Sequence, residues 1–329
     1  MKRYLVFDRL RVVALMMILA CHFTRSVNAG NANGVRIDLV LGAVGNFIFF
    51  VLSGWLLGLS WQNKGCGRLG RKWLWHRIVR LAVPLWLFLV PYFAYLHFTG
   101  MHIGVTKVLL NLFLLNWFAR MPGTTPYWFI TAIAAFYVLI VAVSNIKRLN
   151  EKRMHLLLIA LTVTLIAQFV LAIAGIRQGY LLTLLVCGLA MFLYARQILD
   201  MVSALAKTRY GGIFVTGGGV MLIIIQWILF EKGLIETGTT HCYWITAPVA
   251  GMVILGMLSL PVTKFEGGVV GALSRISFEM YLVHSAMLNW TGAISTSVLC
   301  YGVYFLTGTI AIGQMLNWVA TFVRGRLRW

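Results

Sequence analysis

The sequence has little charge and few acidic residues for a chain of its length. Of its 329 residues, 11% are charged and only eight are acidic, whereas 60% are hydrophobic. A soluble domain normally has about twice that charged fraction. Apolar runs of about 20 residues, the length that a helix needs to cross a bilayer, recur along the chain. This composition excludes an ordinary soluble domain and indicates an integral membrane protein.

The sequence also lacks the cysteine spacing of a metal site or a disulfide framework, since its five cysteines are scattered without a Cys-x-x-Cys pair. It has no Pro-rich or Gly/Ser-rich linker and no internal repeat, and Pro84 and Pro248 fall inside predicted helices, where they are expected to cause kinks. We therefore predict no metal, and one membrane-embedded domain over residues 1–329 without a separate soluble domain.

The basic residues give a net charge of +20. In a soluble protein this excess would suggest nucleic acid as a partner. Here most of the basic residues lie in short loops between apolar runs, which is the pattern of the positive-inside rule. We therefore expect membrane lipids, including anionic headgroups, as partners, and no nucleic acid.

The apolar runs predict an all-α, polytopic membrane bundle of about ten transmembrane helices. The predicted spans are 10–25, 38–60, 79–98, 126–145, 154–174, 180–197, 213–231, 243–261, 273–291 and 297–320. Residues 105–119 are apolar but short for a span. If they crossed, the basic loop ending at Arg153 would lie outside, so we predict a re-entrant or interfacial segment there and cytoplasmic termini.

Two ionisable residues lie on the first predicted span. Arg11 and His22 are eleven residues apart, which corresponds to about 16 Å of helical rise and to nearly the same helix face. Ionisable groups inside a membrane are functional candidates. The alternatives are that Arg11 snorkels to the headgroups and that His22 is a hydrogen-bonded interfacial residue.

The second and third spans contribute further candidates. Ser53 and Gly54 interrupt a bulky apolar run, and for Gly54 close helix packing is the stronger interpretation. Arg77 and Arg80 are three residues apart and share a helix face, where two guanidinium groups would suit phosphate oxygens. The alternative for these arginines is that they only set the topology.

The penultimate span has the sequence SFEMYLVH over residues 277–284. Glu279 is the only acid well inside a predicted span, and it is costly there unless it is protonated or paired. His284 follows five positions later, off the face of Glu279, and is predicted to lie at a depth similar to that of His22.

Taken together, these motifs resemble the acyltransferase-3 family of integral membrane acyltransferases. The matching pieces occur in the family's order, on the first, second, third and penultimate spans. They are the Arg-x10-His of Arg11 and His22, the FFVLSG of residues 49–54, the Arg-x-x-Arg of Arg77 and Arg80, and the SFEMYLVH of residues 277–284.

The resemblance implies an enzyme of a bacterial plasma membrane that takes an acyl group, expected to be acetyl, from cytoplasmic acyl-coenzyme A. It implies transfer to a hydroxyl of a cell-surface glycan, a lipid-linked sugar or another exported acceptor. It assigns catalysis to His22 and donor binding to Arg11, Arg77 and Arg80. On the substrate side we expect Ser53, Glu279, Tyr281 and His284.

The chain departs from the family at the fourth span. Many members have a tryptophan followed by an acidic pair, as in WSLSVEEQFY, whereas residues 128–137 read WFITAIAAFY. The chain therefore resembles a shorter subgroup without these acids. A mechanism that needs this carboxylate, and the substrates of the acid-containing subgroup, cannot be transferred to this chain.

The expected mechanism follows from the chemistry of the donor. Arginines would bind the phosphates, and an extended pantetheine arm has a reach comparable to the distance from Arg11 to His22. His22 would remove the proton of the attacking hydroxyl, while Ser53, Asn46 or Tyr281 could stabilise the oxyanion. A covalent acyl-histidine is an alternative. Acyl-coenzyme A is here a substrate, and we expect no permanently bound cofactor.

Two other functions fit a helix bundle. One is a secondary transporter or flippase for a glycan or lipid precursor, although the scarcity of intramembrane acids and the absence of an inverted repeat argue against it. The other is a lipid-binding scaffold, which would not explain the spacing of Arg11 and His22. Dependence on an acyl donor separates the enzyme from both.

Overall fold

The computed structural model describes residues 5–28, 37–119, 121–175, 180–206, 208, 211–234, 240–259, 266–295 and 297–326. These residues form α-helices joined by short turns, and none of them lies in a β-strand. The helices are α1 Leu5–Val27, α2 Ile37–Asn63, α3 Arg71–Phe98, α4 Val105–Leu112, α5 Trp128–Ser144, α6 Leu149–Ile173, α7 Tyr180–Leu193, α8 Ala195–Ala206, α9 Gly211–Glu231, α10 Thr240–Ser259, α11 Gly271–Arg275, α12 Ser277–Ile294 and α13 Val298–Arg326. Two 3₁₀ turns, Asn116–Phe118 and Thr125–Tyr127, and a π-helical turn, Glu266–Val270, complete the described elements.

Every predicted span is largely helical where the structure describes it, although 180–197 is divided between α7 and α8 and 273–291 between α11 and α12. The all-helical class is confirmed. Five helices among the described residues are long and apolar enough to cross a membrane, and a bent pair would make a sixth. These five are Asp38–Asn63, Arg71–Phe98, Thr125–Ser144, Leu149–Ile173 and Val298–Arg326. The count of about ten spans stays a prediction.

The segment that we predicted not to cross begins with α4, which has eight residues. Its rise of about 12 Å is much less than the bilayer core of about 30 Å. After α4 the chain reverses direction in a turn that two buried asparagine side chains stabilise. Asn111 Nδ2 donates to the carbonyl of Ala119 at 2.7 Å, and Asn116 Nδ2 donates to Asn111 Oδ1 at 2.7 Å. A re-entrant or an interfacial position would both suit this compact turn.

The chain divides into two compact units that are interleaved in sequence, Met1–Gly67 with Val143–Ser274 and Arg68–Ala142 with Arg275–Trp329. In the first unit α2 packs against α1, α7 and α10. A Cβ atom at Gly54 would overlap the carbonyl oxygen of Gly188, and one at Gly58 would overlap that of Phe192. The close-packing interpretation of Gly54 is therefore confirmed: two glycines let the backbones of α2 and α7 approach.

In the second unit α13 packs against α12 and α3. The turn before α5 lies beside α3, because the Tyr92 hydroxyl donates to the carbonyl of Pro122 at 3.1 Å. Gly123 has a φ of +74°, and its missing Cβ leaves the space that the Tyr92 hydroxyl occupies. Only glycine satisfies both conditions without strain.

The helix predicted at residues 180–197 needs a correction, because α7 ends at Leu193 and the chain turns by 83° into α8. Side chains of α2 bind the backbone at this break. Gln62 Nε2 donates to the carbonyl of Leu193 at 3.0 Å, and Trp55 Nε1 donates to that of Ala195 at 2.8 Å. Leu193 is the last residue of α7, so its carbonyl has no partner within that helix and is satisfied from α2, while the bond of Trp55 ties the start of α8 to the same helix.

Candidate functional site

The first part of the candidate site lies on α1, which is continuous from Leu5 to Val27. Arg11 and His22 are therefore on one helix, about 16 Å apart along its axis and within about 20° of the same direction. Both side chains are half-buried. Each remains accessible to a molecule that approaches this face of α1.

Residues just before Arg11 fix the start of α1 within the first unit. Phe7 packs edge-to-face on Trp55, with ring centroids 5.2 Å apart. The buried guanidinium of Arg9 donates to the carbonyl of Met257 at 2.5 Å. The backbone that carries Arg11 is thus held by an aromatic contact and a charge-assisted hydrogen bond.

Asp8, which sequence reasoning missed, lies against Arg11. Asp8 Oδ1 accepts a hydrogen bond of 2.6 Å from the Ser274 hydroxyl and lies 4.0 Å from Arg11 Nη1. The side chain of Asp8 is 9% exposed, whereas that of Arg11 is 38% exposed. The signal in the sequence was the spacing of three between an acid and a base at a helix start.

At the other end of α1, residues next to His22 pack closely against α2. Cys21 is buried against Gly42, where a Cβ would come within 2.6 Å of the cysteine sulfur. Arg25 Nε lies 3.5 Å from Asp38 Oδ2, which forms an ion pair between the end of α1 and the start of α2. The helix that presents His22 is therefore fixed on both sides of the imidazole.

Ser53 lies on α2, in the same unit, and its hydroxyl donates to the carbonyl of Phe49 one turn earlier at 2.9 Å. To stabilise an oxyanion, the hydroxyl would first have to leave this bond. Asn46, the other candidate donor of α2, is half-buried. The sequence did not choose between these two residues, and the geometry favours neither.

The second part of the candidate site lies in the other unit, on α3. The guanidinium of Arg77 is half-buried and lies 5.3 Å from the centre of the Trp73 ring. Arg80 is exposed one turn later. Both residues lie on the continuous helix α3 at the spacing of three that the sequence gives, and joint binding of one anion by the two guanidinium groups stays a prediction.

Glu279, Tyr281 and His284 lie on α12, and all three are buried. The hydroxyl of Tyr281 donates to the carbonyl of Pro126, and the hydroxyl of Tyr127 donates to that of Leu282. These reciprocal bonds join α12 to the 3₁₀ turn Thr125–Tyr127. Tyr281 is therefore used in packing, which weakens its assignment as an oxyanion donor.

His284 is completely buried, and its Nδ1 lies 2.6 Å from the carbonyl of Tyr281 in the preceding turn. A carbonyl accepts but cannot donate, so this contact assigns a proton to Nδ1. The imidazole is held in one tautomer by its own helix.

Sequence reasoning also missed Arg324, in the last turn of α13. The Arg324 side chain donates to the carbonyl of Ala320 and to the hydroxyl of Thr321 in its own helix. Its positive charge acts on Glu279 only through space, without an ion pair between them among the described residues. A basic residue near the end of the last span was the available signal.

The structure thus groups the predicted residues by unit. Arg11, His22 and Ser53 belong to the first unit, and Arg77, Arg80, Glu279, Tyr281 and His284 belong to the second. Within the second unit, hydrogen bonds join Tyr281 to Pro126 and His284 to Tyr281.

The comparisons with known proteins agree with this set of motifs. The model of the acyltransferase-3 family, described as an acyltransferase domain, matches residues 4–322. Searches of curated proteins and of solved structures found no significant match.

Proposed function

Because the chain belongs to the acyltransferase-3 family and is therefore a membrane acyltransferase, we propose that it transfers an acyl group, expected to be acetyl, from cytoplasmic acyl-coenzyme A to a hydroxyl. The acceptor is a cell-surface glycan, a lipid-linked sugar or another exported molecule. The protein resides in a bacterial plasma membrane with both termini in the cytoplasm.

His22 is the general base in this proposal. A hydroxyl must lose its proton as it attacks a thioester carbonyl, and imidazole is the side chain best suited to accept it near neutral pH. The observation that carries the assignment is the geometry of α1, which presents a half-buried imidazole on the same face as Arg11. Loss of a positioned base typically lowers the rate by about 10²–10⁴-fold.

The arginines are assigned to the donor. Coenzyme A carries several phosphate groups, which guanidinium groups bind through paired, charge-assisted hydrogen bonds. Arg77 and Arg80 are adjacent on α3, and Arg11 is partly exposed on α1. Each arginine is assigned separately, and each can be tested separately.

The direct test is donor consumption by the purified protein in lipid nanodiscs. We expect release of the coenzyme A thiol from acetyl-coenzyme A when envelope glycans or lipid-linked sugars are added, and mass spectrometry should find an acetyl group on the acceptor. Cells without the gene should lack the same acetyl mass in their envelope. An unchanged donor pool together with movement of the unmodified acceptor across the membrane would instead identify a flippase.

A further inference from the structure

The start of α1 contains a carboxylate that the proposed chemistry does not use. Asp8 is almost completely buried, and its Oδ1 accepts the hydrogen of the Ser274 hydroxyl at 2.6 Å. The two residues are 266 positions apart in the chain. A buried carboxylate is costly unless its oxygens have hydrogen-bond partners. The bond from Ser274 offsets part of this cost, and only the tertiary structure brings the two residues together.

The same oxygen of Asp8 lies 4.0 Å from Arg11 Nη1. A guanidinium group has five N–H donors in a planar fork, so a carboxylate 4.0 Å from one nitrogen does not cover the whole group. The side chain of Arg11 is 38% exposed, so part of it is accessible to an anion. Asp8 can therefore restrict the orientation of the Arg11 guanidinium without covering all of its N–H groups.

The backbone beneath this pair is also restricted. Arg9 is buried and bonded to the carbonyl of Met257, and Phe7 is packed on Trp55. Since the backbone is held and Ser274 holds the carboxylate, Asp8 is a fixed group beside the long, partly exposed side chain of Arg11. Restricting such a side chain before binding reduces the entropy lost when an anion binds.

We propose that Asp8 is a positioning residue that, held by Ser274, orients the Arg11 guanidinium toward the phosphates of the acyl donor. This inference rests on the proposed function and adds to it a residue that does not touch the donor. Asp8 has an opposing effect as well, because its negative charge repels the donor. The sign of the change in donor KM on removing that charge shows which effect is larger.

The experiment is a double-mutant cycle with wild type, Asp8→Asn, Arg11→Ala and the double variant, all in nanodiscs. The amide of asparagine keeps the size of the side chain and an acceptor for Ser274 but removes the charge. We expect Asp8→Asn to raise the donor KM by about 3- to 10-fold, with kcat nearly unchanged. Introduced into Arg11→Ala, the same change should have no further effect, because coupled residues are not additive.

Two further variants serve as controls. Ser274→Ala removes only the hydroxyl that holds the carboxylate, so it should raise the donor KM in the same direction by a smaller factor. Asp38→Asn removes the charge from another carboxylate of the first unit that pairs with an arginine, Arg25, at 3.5 Å. Because this ion pair fixes the end of α1 that carries His22, the matched change is expected to affect kcat, if anything, and to leave the donor KM unchanged.

The outcomes are distinguishable. A lower donor KM in Asp8→Asn would show that repulsion is larger, and an equal rise in the wild-type and Arg11→Ala backgrounds would show a general structural role. Either result overturns the proposal. If Asp8→Asn does not give a folded peak in size-exclusion chromatography, Ser274→Ala replaces it in the cycle. A wild-type protein that neither consumes acetyl-coenzyme A nor binds coenzyme A in calorimetry overturns the proposed function itself, and this inference with it.

Discussion

The two histidines on α1 and α12 have opposite environments, although the sequence predicted them at similar depths. His22 is half-buried on a helix face that also carries an accessible arginine. His284 is completely buried, and its Nδ1 is engaged with the carbonyl of Tyr281. The first can meet a substrate as the structure stands, whereas the second can do so only after the surrounding helices move.

This difference in exposure indicates two different roles for the two imidazole side chains. A general base needs access to the proton that it removes and freedom to carry charge. An imidazole without solvent access is better suited to hold a buried polar position in one tautomer. The comparison therefore favours His22 for chemistry and a packing role for His284, which the following experiments test in order of expected effect.

The largest effect is expected from His22→Gln. Glutamine is polar and of similar size, so the packing loss is small, but it cannot accept a proton at neutral pH. We expect kcat to fall by about 10²–10⁴-fold while the affinity for coenzyme A stays near the wild-type value. Steady-state kinetics and calorimetry measure the two quantities. Turnover near the wild-type rate would make His22 structural and His284 the next candidate base.

A smaller effect, on binding rather than turnover, is expected from changing Arg77 and Arg80 together to alanine. Loss of two charge-assisted contacts should raise the donor KM by at least about tenfold. Added salt should weaken wild-type donor binding in the same direction. The matched control is the double change of Arg68 and Arg71 to alanine, which removes the same charge from exposed positions shortly before Arg77 in the sequence. Equal effects of the two double variants would assign the pair to topology.

His284→Gln should change stability more than catalysis. Replacing a completely buried imidazole disturbs packing and its hydrogen bond, which typically costs about 1–3 kcal/mol. We expect a lower Tm and a kcat within about tenfold of wild type, far from the loss expected for His22→Gln. A kcat loss as large as that of His22→Gln, at unchanged Tm, would reverse the comparison.

Reporter fusions should not affect activity but would test the topology that follows the third span. Fusions after Arg153 and after Trp329 should both report cytoplasm, because the basic loops are expected there. An external signal after Arg153 would mean that residues 105–119 cross the membrane. The orientation of the spans from the fourth onward would then need revision, and with it the predicted depth of His284.

Much of the architecture was accessible from the sequence. Apolar runs determine where helices form, because in lipid the backbone must satisfy its own hydrogen bonds. The eleven-residue spacing of Arg11 and His22 and the three-residue spacing of Arg77 and Arg80 follow from helical periodicity alone. The packing role of Gly54 was also predictable, because a small residue in a bulky run indicates close contact.

The sequence by itself determined the helices, their order and which polar side chains share a helix face, since these depend on local hydrophobicity and period. Only the tertiary structure decided the bend after Leu193, where Gln62 and Trp55 bind the carbonyls of Leu193 and Ala195. It also decided that Asp8 meets Ser274 and that Tyr281 bonds to Pro126. These contacts join residues more than 100 positions apart, and no local pattern specifies which buried polar group will satisfy another.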